Sequence, residues 1–385
     1  MILPWKNIRR FFYKATKQPL YALNVLDKRL DANLYYRYAR GKAGFPEAIT
    51  FFLTHRCNLK CKMCGQWGES GVTKKQPADF VKSELSPEEI KSVINNVSFF
   101  KPGITLFGGE PLLYEKCTEL IRYIKQKRMH CLMISNGFML EDVAKDLVSA
   151  GLDELNVSLD GGRELHDSIR GLPGLFDKIM LGFDKLNYYK NLDKKQKPLI
   201  NLQCTITKYN YKYLEQLLGV AEEIKASSLT FHNLIFLNRE VLQKQKEYDN
   251  LLGCTSLDWE GFDFNPEIDP EVLYGKIKEI LSGKYNFAVD FYPNFSHKGL
   301  IEYYSNSSYL PSDYQTRCLS PWLVAYIFPD GEVGPCLNSS FSYGNIKDSK
   351  FTDLWNNAQA VKFRQALKKN KLFPVCARCT ELYRY

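Results

Sequence analysis

The densest chemistry in the sequence is three cysteines on one short run. T-H-R-C-N-L-K-C-K-M-C-G-Q-W places Cys57, Cys61 and Cys64 at C-x3-C-x2-C. Three thiolates on a four-iron cluster leave one iron without a protein ligand. An iron open in that way suits a small molecule carrying its own amino and carboxylate groups. Structural zinc prefers four closed ligands, usually in two pairs, so a lone trio suits zinc poorly. A second set, Cys318, Cys336, Cys376 and Cys379, is spaced C-x17-C-x39-C-x2-C. It would satisfy tetrahedral zinc or a fully ligated cluster equally well. The chain has 11 cysteines, clustered and without a secretory signature at the start, which points to metal ligation rather than disulfides.

Something must hold these loops in place, and the sequence supplies a repeating frame. Short β-rich runs at 48–54, 103–107, 131–135, 154–159, 199–206 and 228–235 alternate with helical stretches. Ser86-Pro87 with Glu89 three residues on reads as a capping box with Pro at the first helical position. Leu140–Gly151 reads as a helix closed by glycine, and Asp269-Pro270 opens another. Six β-α units predict a parallel sheet with right-handed crossovers, whose chemistry sits at the carboxyl ends of the strands. A partial barrel and a doubly wound sheet both fit this pattern.

Each of the next strand ends carries a motif. F-G-G-E-P follows the second strand, with Gly108 and Gly109 permitting close backbone approach and Glu110 supplying an anion. S-N-G follows the third with Asn136, and S-L-D-G follows the fourth with Ser158 and Asp160, then H-D-S-I-R-G with Arg170. Gln203, Thr205, His232 and Asn233 end the fifth and sixth strands.

With the cysteine trio on the first β-α loop, this series resembles the radical SAM superfamily over roughly residues 48–235. The resemblance implies an α/β fold, a partial (β/α)6 TIM-like barrel. It implies a [4Fe–4S] cluster on Cys57, Cys61 and Cys64 whose open iron binds S-adenosylmethionine and yields a 5′-deoxyadenosyl radical. It further implies that Met63 lies against the adenine and that Gly108, Gly109 and Glu110 receive the amino group. Ser158 and Arg170 would meet the carboxylate, a bidentate task suited to guanidinium. Asn136 would lie near the ribose or carboxylate, and Gln203 joins the cofactor-binding set. Asp160 and His232 are the candidates for a catalytic base.

The last seventy residues read as a small module, a hairpin turning at P-D-G-E followed by a helix, and a core of that size gains from a metal staple. The four cysteines there resemble the SPASM/twitch extension of the same superfamily, in the shorter form with one auxiliary [4Fe–4S] cluster. Full ligation by four cysteines implies electron transfer, the cluster accepting an electron during oxidation of the substrate. The expected domains are an arm at 1–47, a radical SAM core at 48–300 and the auxiliary module at 301–385. The expected function is oxidation or dehydrogenation of a small molecule such as a sugar, cyclitol or lipid headgroup. Flavodoxin or ferredoxin is the expected reductant. A peptide maturase making crosslinks or thioethers is the alternative, and a non-catalytic metal-binding scaffold a further one.

Charge is concentrated at one end. The whole chain is +9, and residues 1–45 carry ten Lys/Arg against two Asp/Glu. Trp5, Ile8, Phe11, Phe12 and Ala15 recur at helical spacing between basic residues, a pattern suited to an anionic membrane surface or to packing on the protein's own body. The rest is close to neutral, so nucleic acid is not an expected partner. No run of 18 apolar residues occurs, and the expected compartment is the cytoplasm, with a peripheral membrane position for the arm.

Overall fold

The computed structural model describes residues 15–385. The basic helix expected around Trp5–Ala15 therefore lies outside the described residues, apart from Ala15.

Seven parallel strands follow in chain order: β1 (Ala48–Phe52), β2 (Gly103–Phe107), β3 (Cys131–Ser135), β4 (Glu154–Ser158), β5 (Leu199–Thr205), β6 (Ser228–His232) and β7 (Ala288–Tyr292). Neighbours in sequence are neighbours in space, which is the arrangement short β-α-β crossovers dictate. Two more strands, β8 (Val324–Ile327) and β9 (Val333–Gly334), complete an open sheet ordered β7-β6-β5-β4-β3-β2-β1-β8-β9. The fold is thus α/β with a mostly parallel, unclosed sheet consistent with a partial TIM barrel.

The C-terminal hairpin does not form a sheet of its own. β8 pairs in parallel with β1, Ala48 opposite Val324, and β9 returns antiparallel. The physical reason is edge protection: β1 would otherwise present unpaired backbone groups. The core sheet thereby runs across the boundary expected at residue 300.

Helices cover the outer face. Pro87–Val97 starts at the capping box, Ser86 Oγ accepting from Glu89 N, and buries Ile90, Val93, Ile94 and Val97. Leu140–Ala150 ends at Gly151 with φ +82°, a left-handed conformation that favours glycine. Cys131 and Cys204, inside β3 and β5, are fully buried core residues. The first described long helix, Pro19–Tyr38, crosses the amino ends of the strands. Gln18 donates to Glu154 at the start of β4, Arg29 pairs with Glu47 just before β1, and Tyr21 stacks on His130 just before β3. That pole is closed, and the opposite one holds the cavity.

Candidate active site

At the carboxyl ends of the strands lies a cavity of about 370 Å³. The cysteine loop forms one wall, and the ends of β2 through β6 form the others.

The loop is anchored at several points. Lys62 N–H donates to the Ile169 carbonyl, Trp67 Nε1 to the His55 carbonyl, and Gly68 N–H to the Cys64 carbonyl. Each cysteine sulfur also faces an N–H donor. Trp67 N lies 3.3 Å from Cys64 Sγ, Arg170 Nη1 3.6 Å from Cys61 Sγ, and Asn136 Nδ2 3.9 Å from Cys57 Sγ. Burial pushes the Cys57 thiol up to about 12 and raises that of Cys61. Three sulfurs set among N–H donors suit a cluster whose irons would hold the thiolates and whose potential such donors would tune.

The end of β2 presses directly on this loop. A Cβ on Gly109 would come within 2.3 Å of the Arg56 carbonyl oxygen. On Gly108, at φ +152°, it would come within 2.6 Å of the Thr54 carbonyl oxygen. Both glycines line the cavity, so their backbone is exposed to whatever fills it.

Glu110 behaves differently from the expectation. Its side chain is fully buried, and its oxygens accept from Leu112 N at 3.1 Å, Ser135 Oγ at 2.9 Å and Asn136 N at 2.8 Å. These bonds lock the end of β2 to the end of β3. The cavity is lined by Gly108 and Gly109 instead, and burial raises the Glu110 carboxyl to about 7. Ser135 carried no clear signal in sequence, since a serine before Asn-Gly reads as a turn residue.

Asp160 is likewise committed. Oδ2 accepts from Arg170 Nε at 2.6 Å, Oδ1 from Thr205 N at 2.9 Å, and its carbonyl from Asn210 Nδ2 at 2.8 Å. It is buried beneath the cavity wall, and its bonds are those of an anchor for Arg170 rather than of a base. Arg170 lines the cavity and joins Asp160 to Cys61, its charge strongly favoured by both partners against burial. His166, behind this pair, accepts from Asp160 N at Nδ1, and burial lowers it to about 3.

Met63, Asn136, Ser158 and His232 also line the cavity. Gln203 accepts from His232 Nε2, so it touches the histidine rather than forming the wall itself.

Phe262 and Thr380 are among the wall residues that were not read from the sequence. Phe262 comes from the irregular stretch after β6, where no pattern marks it. Thr380 comes from the C-terminal module and follows Cys379 directly, which was the signal available. Tyr292 Oη donates to the Thr380 carbonyl at 2.5 Å, tying β7 to this residue.

Cys318, Cys336, Cys376 and Cys379 gather behind Thr380. The Cys336 thiol is held well above its ordinary range by burial and by the charges of Cys376, Cys318 and Cys379. Among the described residues, no three His, Cys, Asp or Glu side chains are drawn together as the ligands of one metal ion.

Comparison with known proteins agrees with this layout. Residues 51–190 match the Radical SAM superfamily, and residues 318–380 match the SPASM iron–sulfur cluster-binding domain. An AdoMet-dependent heme synthase of Methanosarcina barkeri is 25% identical over 345 residues, covering 87% of this chain and 88% of that protein. A pre-heme d1 synthase of Dinoroseobacter shibae is 23% identical over 354 residues, 89% of this chain and 81% of that one. The Fe-coproporphyrin III synthase of M. barkeri is 31% identical over 193 residues, 50% of this chain and only 45% of that protein. Among solved structures, Streptococcus suis SuiB bound to S-adenosylmethionine superposes with a TM-score of 0.60 at 13% identity, over 91% of this chain and 76% of that one. The two matched domains bring with them S-adenosylmethionine, a [4Fe–4S] cluster and an auxiliary iron–sulfur cluster. The chain belongs to the radical SAM superfamily, as an enzyme with a C-terminal SPASM domain.

Proposed function

We propose that this enzyme oxidises a carbon–hydrogen bond of a small molecule held between the two cysteine sets. The single observation that carries this reading is the wall of the cavity. Cys57, Cys61 and Cys64 stand on one side and Thr380, next to Cys379, on another. When bound, the cluster on the trio and S-adenosylmethionine supply a 5′-deoxyadenosyl radical that takes one hydrogen atom, and the cluster on the second set supplies an acceptor for one electron.

The chain's own residues do the rest. Met63, Asn136, Ser158 and Arg170 bind and orient S-adenosylmethionine, and the bare backbone of Gly108 and Gly109 admits its amino end. Glu110 fixes the two strand ends that form this seat, and Asp160 holds Arg170 at the correct edge. Completing a two-electron oxidation requires loss of a proton, and His232, at the cavity wall with Gln203 against its ring, is the residue placed to take it. A flavodoxin or ferredoxin fits as the one-electron donor.

The walls favour a substrate with a large apolar surface. Phe107, Ile134, Leu234, Ile235 and Phe262 are among the side chains that line it. That fits a carboxylated tetrapyrrole better than a sugar or cyclitol, and the end-to-end likeness to AdoMet-dependent heme synthases and a pre-heme d1 synthase supports the choice. The test incubates reconstituted holoenzyme with S-adenosylmethionine, reductant and a deuterated tetrapyrrole carboxylate. The expected outcome is deuterium in 5′-deoxyadenosine with an oxidised tetrapyrrole. Transfer from a sugar, lipid headgroup or peptide, and none from tetrapyrroles, would refute this substrate class.

A further inference from the structure

The helix Pro19–Tyr38 is apolar on two opposite faces. Ala22, Val25 and Ala32 point inward and are buried against the body. Leu20, Leu23, Leu30, Leu34 and Tyr38 fall on the other side with a 3–4 spacing interrupted only by Asp27. They face solvent: Leu20 is 83% exposed, Leu23 62%, Leu34 57% and Tyr38 76%. A surface helix ordinarily buries one apolar stripe and turns polar residues to solvent, whereas this one also carries apolar side chains on its solvent side. Two further exposed rings, Phe45 and Phe99, meet edge to face at the same pole, with Lys28 over Phe45.

The helix is not loosely attached. The Gln18–Glu154 hydrogen bond, the Arg29–Glu47 ion pair and the Tyr21–His130 stack fix its inward face, so the leucine stripe is presented as a rigid ridge. At 20 residues it is about 30 Å long.

Charge selects the occupant. Residues 1–45 hold ten of the chain's cations and two anions, while the remainder is nearly neutral. Lys17, Lys28, Arg37 and Arg40 flank the stripe, and Lys6, Arg9, Arg10 and Lys14 precede it in sequence. Two copies packed through this face would bring like charges together. A surface that is apolar within and negative outside satisfies both features at once.

We propose that the stripe of Pro19–Tyr38, with the basic residues around it, docks this enzyme in the plane of an anionic lipid bilayer. The pole matters. The helix lies across the amino ends of β1, β3 and β4, opposite the cavity at their carboxyl ends. Docked this way, the enzyme turns its active site away from the membrane, free to meet a water-borne electron donor and substrate. The face holds the protein at the bilayer and does not feed a lipid into the cavity.

The test floats reconstituted holoenzyme on a density gradient with vesicles of phosphatidylcholine, alone or mixed with phosphatidylglycerol. Flotation is expected only with phosphatidylglycerol, declining as salt is added. The Leu23→Glu/Leu34→Glu variant is expected to bind at least about tenfold more weakly, while releasing 5′-deoxyadenosine as the wild type does in lipid-free solution, which shows that it folds. No flotation of the wild type, or equal flotation of the variant, overturns the proposal. So does a wild-type dimer in analytical ultracentrifugation that the same two substitutions split, which would give the face to a second copy of the chain.

Discussion

Arg170 stands between Asp160 and Cys61, and its position depends on both. Asp160→Asn would leave a buried guanidinium without its counter-ion, a loss on the order of 3 kcal/mol. The expected result is weaker S-adenosylmethionine binding together with a lower unfolding midpoint. A base would show the opposite split, with binding intact and only product lost; isothermal titration beside product analysis separates the two. His166, behind the pair, gives a pH signature. Its folded-state value near 3 lies below the ordinary 6.5, so the unfolded chain binds more protons as pH falls through that window. Stability is therefore full above about pH 6.5 and is lost on acidification toward 3, at about 1.4 kcal/mol per pH unit from this residue. His166→Asn, whose side-chain oxygen can still accept from Asp160 N, should flatten the dependence by that amount in denaturant titrations at stepped pH. At this scale the cysteines were legible from their spacing, while Met63 and Arg170, which line the cavity, were legible only through the family resemblance. The true partners of Glu110 and Asp160 were not, because a buried carboxylate is defined by donors that arrive from other strands.

The elements that seat the site are strand ends and the loops they hold. The six expected strands were legible from composition and spacing, since strands covered on both faces read as apolar runs. The helix starts were legible where Ser86 and Asp269 cap them. The close approach of β2 to the cysteine loop was legible only as a pair of glycines, and its reason is steric. Gly109→Ala would set a methyl group 2.3 Å from the Arg56 carbonyl oxygen, so the loop between Thr54 and Cys57 must move. The expected result is a protein that folds but holds less iron at the trio, read as iron content per chain after reconstitution, with S-adenosylmethionine cleavage falling at least about tenfold. Phe262 belongs to an irregular stretch whose path is set by packing against the loop, which no local pattern encodes.

Across the whole molecule, the C-terminal module completes both the sheet and the cavity. β8 covers the free edge of β1, and Thr380 brings the second cysteine set to the wall. The cysteine spacing made the module legible, but its junction with the core was not, because pairing between residues 48 and 324 depends on contacts far apart in sequence. If the second set accepts the electron of substrate oxidation, Cys379→Ala should still release 5′-deoxyadenosine yet lose most oxidised product. Equal loss of both would assign the second set a role in folding alone.

All of this depends on the trio holding a cluster with a vacant iron. The most direct measurement is 5′-deoxyadenosine released when anaerobically reconstituted protein is reduced with dithionite in the presence of S-adenosylmethionine, for wild type beside Cys61→Ala. The account predicts release from the wild type and none from the variant. Wild-type protein that keeps iron at the trio yet releases nothing, or a variant that releases as much as the wild type, would contradict it.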